Sequence, residues 1–440
     1  MLVKYSVSNF GSFDSEQEIS FEKTGSRQHL DHIVSDEYLS GAVIYGANAS
    51  GKSNFMNSLS WLSLLIEMDD ISSLNVKASQ FRFSENNESV FKISFIWSNK
   101  KYLYEMKIRP AEFVSEKFEL IKDDSQTELI FRRSKGKVEC GGNWSRENKT
   151  VADRMSYIRK LDTDGLNSID WSYRDHIENL YEFFGAILLF NDKTKVKMSS
   201  FYNVYNTQSS FPEFLNRLLQ ESDVGIQCAE FVKISDDLTN ELLKSKPSKY
   251  TTPVKFGDAL SYMDGEDYYV FTFDVASGKA KGEKLKIKVE NEYFELSELS
   301  TGTNRLIHLA LALYNFKNYQ KGALLIIDEF DSSLHPFIVK RLLQQLLADN
   351  KNGSQILVSL HNTLLMDIQD IWRDDEIWFV KKDFDHSSKL YSLADFAPRK
   401  DKDVERGYLN GVYGAIPFLG AHLFLDGVKS AENTDEMPAK

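Results

Sequence analysis

Apolar and polar residues alternate at the start of the chain, with Leu2, Tyr5 and Val7 on one side of Asn9-Phe10-Gly11-Ser12 and Ile19 and Phe21 on the other. This pattern predicts a β-hairpin. Gly41-Ala42-Val43-Ile44-Tyr45 has no polar position, as a strand buried on both faces requires. From Lys52 onwards Phe55, Met56, Leu59, Leu62 and Ile66 recur at three- and four-residue intervals, the period of a helix. Alternation returns over residues 90–120, again at Tyr268–Phe273 and again at Leu285–Val289. The C-terminal part then reads as a helix at 302–318, an apolar strand at 323–327, a helix at 337–349 and a strand at 355–360. Strands alternating with helices predict a largely parallel, buried sheet.

Residues 121–255 have a different character, with helical patterns such as Phe214–Leu219 separated by polar loops. The expected organisation is an N-terminal lobe over 1–120, a mainly helical insertion over 121–255 and a C-terminal lobe over 256–440. A chain of 440 residues with 42% hydrophobic and 27% charged residues has material for such a core. Its 53 Lys+Arg against 65 Asp+Glu give a formal charge of −12, so contact with nucleic acid through bulk charge is excluded and any such contact must be local. Two cysteines, Cys140 and Cys228, cannot make a four-ligand zinc site, and one isolated pair is no disulfide framework. The first residues do not have the pattern of a signal peptide, and the longest apolar run, Phe183–Phe190, is too short to span a membrane. A soluble, cytoplasmic protein without membrane contact is expected.

Gly46-Ala47-Asn48-Ala49-Ser50-Gly51-Lys52-Ser53 fits G-x-x-x-x-G-K-[ST] at every specified position and lies between a predicted strand and a predicted helix. Glycines let the backbone wrap a phosphate, and the N–H groups of the loop and helix start supply positive potential. Lys52 reaches the outer phosphates, and Ser53 offers a hydroxyl to Mg²⁺. The candidate ATP-binding set is Gly46, Asn48, Ala49, Ser50, Gly51, Lys52, Ser53 and the adjoining Asn54. An apolar strand ending in carboxylates should complete the site, and Ala323-Leu324-Leu325-Ile326-Ile327-Asp328-Glu329 supplies it. Asp328 is the candidate magnesium residue with Ser53. Glu329 is the candidate group for orienting or deprotonating the attacking water.

Leu299-Ser300-Thr301-Gly302-Thr303-Asn304-Arg305 lies shortly before that strand, and on its own Ser-x-Gly also describes an ordinary helix cap. In this position it resembles the signature motif of ABC-type ATPases of the soluble branch related to structural-maintenance-of-chromosomes (SMC), RecF and OLD-type proteins. The resemblance implies an α/β fold, an ABC-type P-loop ATPase head with a mixed sheet. It also implies that Ser300 and Gly302 of one subunit close over ATP held by another. Asp331–Pro336 stands at the place of the family's D-loop, and His361, in Ser359-Leu360-His361-Asn362, at that of its switch histidine, a sensor of the γ-phosphate. The Q-loop match is thinner: Gln80 lies only 28 residues past Lys52 and could equally be a surface glutamine.

Ser8–Phe13, Tyr45–Asn48, Ser333–Pro336 and a tail with Leu390–Leu393, Arg399-Lys400, Gly407-Tyr408 and Tyr413–Pro417 together resemble the bacterial AAA-15/AAA-21 ATPases. These are often found beside a nuclease in phage-defence operons, as with RloA-type and AbiLi-type ATPases, and are more distantly similar to the ATPases of PARIS and Septu systems. The resemblance implies an ATP-closed homodimer or larger homo-oligomer, a separate effector protein expected to be a nuclease, and a phage protein or nucleic acid as trigger. A RecF-like DNA-repair ATPase that binds DNA directly is the alternative. Residues 131–160 carry nine basic and three acidic residues. They suit a phosphate backbone, although a solvated face with local ion pairs is the commoner meaning of such a segment. Asp383-x-Asp385 lacks the flanking strand and helices of an OLD-type nuclease, so no nuclease is expected within the chain.

Overall fold

A computed structural model describes residues 1–417 apart from 27, 124–125, 143–148, 165–170, 191–197, 223–224, 245–258, 274–278, 349, 351 and 399–402. The predicted hairpin forms, Leu2–Ser8 pairing antiparallel with Gln17–Ser20. It belongs to an eight-stranded antiparallel sheet that continues through Ser89–Trp97, Lys100–Arg109, Glu112–Asp123, Gln126–Ser134, Lys137–Cys140 and Lys149–Thr150. Tyr102, Tyr104, Met106 and Ile108 alternate inward along Lys100–Arg109, the period expected of a sheet with one covered face.

The second sheet has the order Ile187–Phe190, Leu324–Ile327, Gln355–Ser359, Gly41–Tyr45, Ile377–Lys382 and Ser388–Ser392. All neighbours pair in parallel except the last two strands. Successive residues of these strands feed two different cores, which is why Gly41–Tyr45 and Leu324–Ile327 are apolar throughout. Ala42, Ile44, Leu324, Ile326, Leu357 and Val380 face the helix Lys52–Glu67 and the antiparallel sheet. Val43, Tyr45, Leu325, Ile327, Ile356, Val358 and Phe379 face the helices Thr301–Asn318 and Pro336–Ala348. The P-loop helix and the helix that follows the signature segment therefore lie on opposite faces of one sheet. A third, antiparallel sheet is built from Ile226–Lys233, Ala259–Asp264, Asp267–Phe273, Ala280–Val289 and Glu292–Glu295.

Among the described residues, 121–255 carry five helices, Tyr157–Asp164, Trp171–Gly185, Met198–Thr207, Ser210–Ser222 and Asp236–Lys244, yet they are woven into the three larger sheets. Gln126–Ser134, Lys137–Cys140 and Lys149–Thr150 extend the first sheet. Ile226–Lys233 is an edge of the third, and Ile187–Phe190 is the edge of the parallel sheet, hydrogen-bonded in register to Leu324–Ile327. The apolar run that is too short for a membrane is the end of a helix followed by this partly buried edge strand. Among the described residues no helix is long and apolar enough to cross a membrane.

Candidate functional site

The strands Gly41–Tyr45, Gln355–Ser359 and Leu324–Ile327 are adjacent and parallel, so the segments that leave their carboxyl ends meet at one edge of the sheet. That edge is where ligands bind in open α/β sheets. The loop from Gly46 ends at Gly51, whose φ of 121° suits only glycine, and a Cβ there would lie 2.5 Å from Ser12 Oγ and 2.7 Å from Ser388 Oγ. The two serines brace the loop from behind. Ser388 Oγ donates to the Ser50 carbonyl, and Asn54 Nδ2 donates to Ser12 Oγ at 3.0 Å. Asn54 thus faces the brace, while Asn48 and Ala49 are exposed at the loop tip. Ser50 Oγ is buried and has no hydrogen-bond partner among the described residues.

Lys52 is 5% exposed and its Nζ donates to the carbonyls of Gly46 at 2.8 Å and Ala47 at 3.3 Å, curled over the loop. Burial holds its pKa below the usual lysine value, opposed by the charges of Asp328, Glu329 and Asp331. Three carboxylates around one ammonium leave an excess of negative charge. With the Ser53 hydroxyl in the first turn of the helix Lys52–Glu67, the donor set consists of hard oxygens, the kind magnesium takes. These residues fit a magnesium ion.

Ser359, the last residue of the middle strand, donates through Oγ to the Asp328 carboxylate and accepts the Glu329 backbone N–H at 2.8 Å. Glu329 has a φ of 52°, a left-handed conformation that costs energy for a side-chain-bearing residue and persists only where neighbours enforce it. Arg305, from the helix Thr301–Asn318, donates to the Glu329 carbonyl and lies 5.5 Å over the Phe190 ring. His361 Nε2 lies 3.5 Å from the Glu329 carboxylate, and both side chains are partly open to solvent. Asp331 accepts the backbone N–H groups of His361 at 2.9 Å and Asn362 at 2.6 Å, which ties the D-loop to the histidine loop.

Arg305 is the part of the signature segment that meets this cluster, and Ser300 and Gly302 lie at the start of its helix. Ser300 is exposed and caps its helix by accepting the Thr303 N–H at 3.1 Å. Gly302 backs onto the D-loop, where a Cβ would lie 2.7 Å from the Ser333 carbonyl. Gln80 ends the short helix Val76–Ser79, and its amide donates to the Asn87 carbonyl at 2.7 Å. The structure thus brings Lys52, Asp328, Glu329, Asp331 and His361 together. It leaves Ser300 and Gly302 on the helix across the sheet and Gln80 in a local turn.

Sequence reasoning gave no role to Ser359 or Arg305, although both lie within the motif segments it singled out. It also left open the tail, which touches both loops of the site. The Ala415 carbonyl accepts the Ala47 N–H at 2.9 Å, and Thr363, two residues past His361, donates to Glu405 at 2.7 Å. Three of the nine basic residues of the basic segment face carboxylates. Arg133 is fully buried against Glu116 at 3.3 Å, Arg159 pairs with Asp69 and Asp162, and Arg154 lies 4.0 Å from Asp70. Arg146 and the Lys149 side chain lie outside the described residues. Asp383 pairs with Lys381 at 3.2 Å and Lys389 at 2.8 Å, and Asp385 accepts from Ser387.

A P-loop and an acidic strand end flanking one strand of a parallel sheet define a P-loop ATPase domain of mixed α/β fold. The chain belongs to the family described as "AAA domain, putative AbiEii toxin, Type IV TA system", matched over residues 42–367. Similar solved structures include an SMC head bound to the C-winged helix domain of ScpA, at 14% identity and a TM-score of 0.45 over 90% of this chain and 99% of that one. The SMC head domain from Thermotoga maritima is similar at 16% identity and a TM-score of 0.39, over 89% of this chain and 98% of that one. An Smc head domain with an extended coiled coil, derived from Pyrococcus furiosus and bound to the C-terminal domain of ScpA, is similar at 14% identity and a TM-score of 0.40, over 90% and 97%. No curated protein sequence matches the chain.

Proposed function

We propose that the chain binds and hydrolyses MgATP and acts as the regulatory ATPase of a bacterial antiphage system, closing as a homodimer, or as dimers within a larger homo-oligomer, to control a separate effector. The carrying observation is the convergence of the buried Lys52 with Asp328, Glu329, Asp331 and His361 at the carboxyl edge of the sheet. Lys52 leaves the loop carbonyls for the outer phosphates, and the P-loop N–H groups hold the phosphate chain. Ser53 and Asp328 hold Mg²⁺, which offsets phosphate charge when bound. Glu329 orients and deprotonates the attacking water. His361 reads the γ-phosphate beside Glu329, and Asp331 carries any movement of the histidine loop to the D-loop.

Ser300 is exposed on the helix across the sheet from Lys52, which supports its acting on the nucleotide of a second subunit. The antiphage setting rests on the motif resemblance and on the family's description as a toxin-system AAA domain. The effector is expected to be a nuclease, and a phage protein or nucleic acid the trigger. Direct DNA binding of the RecF kind is less favoured, because Arg133, Arg154 and Arg159 already face carboxylates. Gel filtration with mass measurement tests the switch: ATP should raise the mass of the wild type by whole subunits, and an unchanged mass would contradict it. For the setting, cells carrying the gene with its neighbours should resist phage, and should lose that resistance with Lys52→Ala.

A further inference from the structure

Two histidines and an aspartate before the P-loop strand take no part in the nucleotide chemistry. His29, Asp31 and His32 each offer a ligand atom, and the three atoms lie within 4.8 Å of one another. His29 stands at a φ of 41°, immediately before the single 3-10 turn Leu30–His32, and its ring stacks on that of His32 with centroids 5.0 Å apart. A left-handed histidine is uncommon, and here it brings the two rings side by side.

Each of the two rings also has a nitrogen in a hydrogen bond. His32 Nδ1 lies 3.0 and 3.2 Å from the two carboxylate oxygens of Glu376, with both side chains buried. His29 Nε2 lies 3.1 Å from the Ile368 carbonyl, which can only accept. A neutral ring that donates from the bonded nitrogen keeps a lone pair on the other, His29 Nδ1 and His32 Nε2. A histidine that donates one N–H to a carboxylate or carbonyl and presents the other nitrogen is the arrangement found around bound metals, where the acceptor fixes the tautomer and the ring.

We propose that His29, Asp31 and His32 bind a divalent transition-metal ion of the zinc class. Two imidazoles and one carboxylate suit zinc, whereas magnesium takes oxygen ligands. Bonds of about 2.0–2.1 Å in a tetrahedron put neighbouring ligand atoms about 3.3 Å apart, so the three atoms must draw together by up to about 1.5 Å. Asp31 is exposed and His29 only partly buried, so both can move towards His32, which Glu376 holds. Water completes the coordination. The site lies before the amino ends of Gly41–Tyr45 and Ile377–Lys382, which pair in parallel, and so at the opposite edge of the sheet from the P-loop. Metal there stiffens the approach to the P-loop strand without touching the nucleotide.

Calorimetric titration of the full-length protein, stripped with a chelator and free of nucleotide, with zinc alone tests the proposal. One zinc ion should bind per chain. His29→Ala and Asp31→Asn, which alter side chains that are not in the core, should each weaken binding at least about tenfold while the circular dichroism spectrum is kept. Glu329 and His361 form the other carboxylate–imidazole pair described above, so the double variant Glu329→Gln, His361→Ala should retain the zinc site. Absence of zinc binding by the wild type, unchanged affinity in His29→Ala, or loss only in the double variant would overturn the assignment. None of these outcomes depends on ATP hydrolysis.

Discussion

The Ser359 hydroxyl accepts the backbone N–H of Glu329 at 2.8 Å and donates to the neighbouring Asp328 carboxylate, so one side chain fixes both acidic residues at the strand end. Glu329, at a φ of 52°, needs such a hold. Ser359→Ala leaves the Glu329 N–H and the Asp328 carboxylate each short of a partner, at a cost of about 1–3 kcal/mol. The expected outcome is a turnover number reduced at least about tenfold with nearly unchanged ATP affinity, read by steady-state kinetics and calorimetry. Wild-type turnover would show that the acidic pair does not need this serine.

Lys52→Ala removes the buried ammonium nearest the phosphate loop. A charge-assisted hydrogen bond is worth about 1.5–3 kcal/mol, so MgATP should bind about 10- to 100-fold more weakly. Calorimetry checks this directly, and unchanged affinity would count against the P-loop as the nucleotide site.

How legible these features were in the sequence depended on how local their chemistry is. The P-loop and the Asp328-Glu329 strand end are contiguous in the chain because a phosphate cradle and a buried acidic strand end are each made by neighbouring residues. Ser359 and Arg305 act across the fold, and nothing in their immediate neighbours says that one will hold Glu329 by its N–H and the other by its carbonyl. Ile187–Phe190 was hidden for a different reason: four apolar residues after a helix do not reveal whether they continue the helix or join a sheet. The basic run over 131–160 looked free because its partners Asp69, Asp70 and Glu116 come from other elements.

Composite sites should show in mixtures. Lys52→Ala loses the P-loop function and Ser300→Arg loads the exposed cap with a long cation, so each alone should be nearly inactive. A mixed dimer has one site with both an intact P-loop and an intact signature segment. Partial recovery of ATPase activity on mixing is expected, and full activity of Ser300→Arg alone would refute action between subunits.

The chain should also leave DNA and RNA intact in the presence of ATP with Mg²⁺ or Mn²⁺. Asp383 is engaged by Lys381 and Lys389, and Asp385 by Ser387, so neither is poised to gather metal. Cleavage of labelled substrates that disappears in Asp383→Ala, Asp385→Ala would reverse this and place a nuclease within the chain.

Glu329→Gln tests ATP hydrolysis at this site most directly, because it removes the proposed base while keeping the shape of the side chain. General-base catalysis is worth about 10²–10⁴-fold. The variant should bind ATP as tightly as the wild type and turn it over at least about 100-fold more slowly, measured as phosphate release under saturating MgATP. Phosphate release at the wild-type rate would contradict the assignment of Glu329 and, with it, the hydrolytic site built around Lys52 and Asp328.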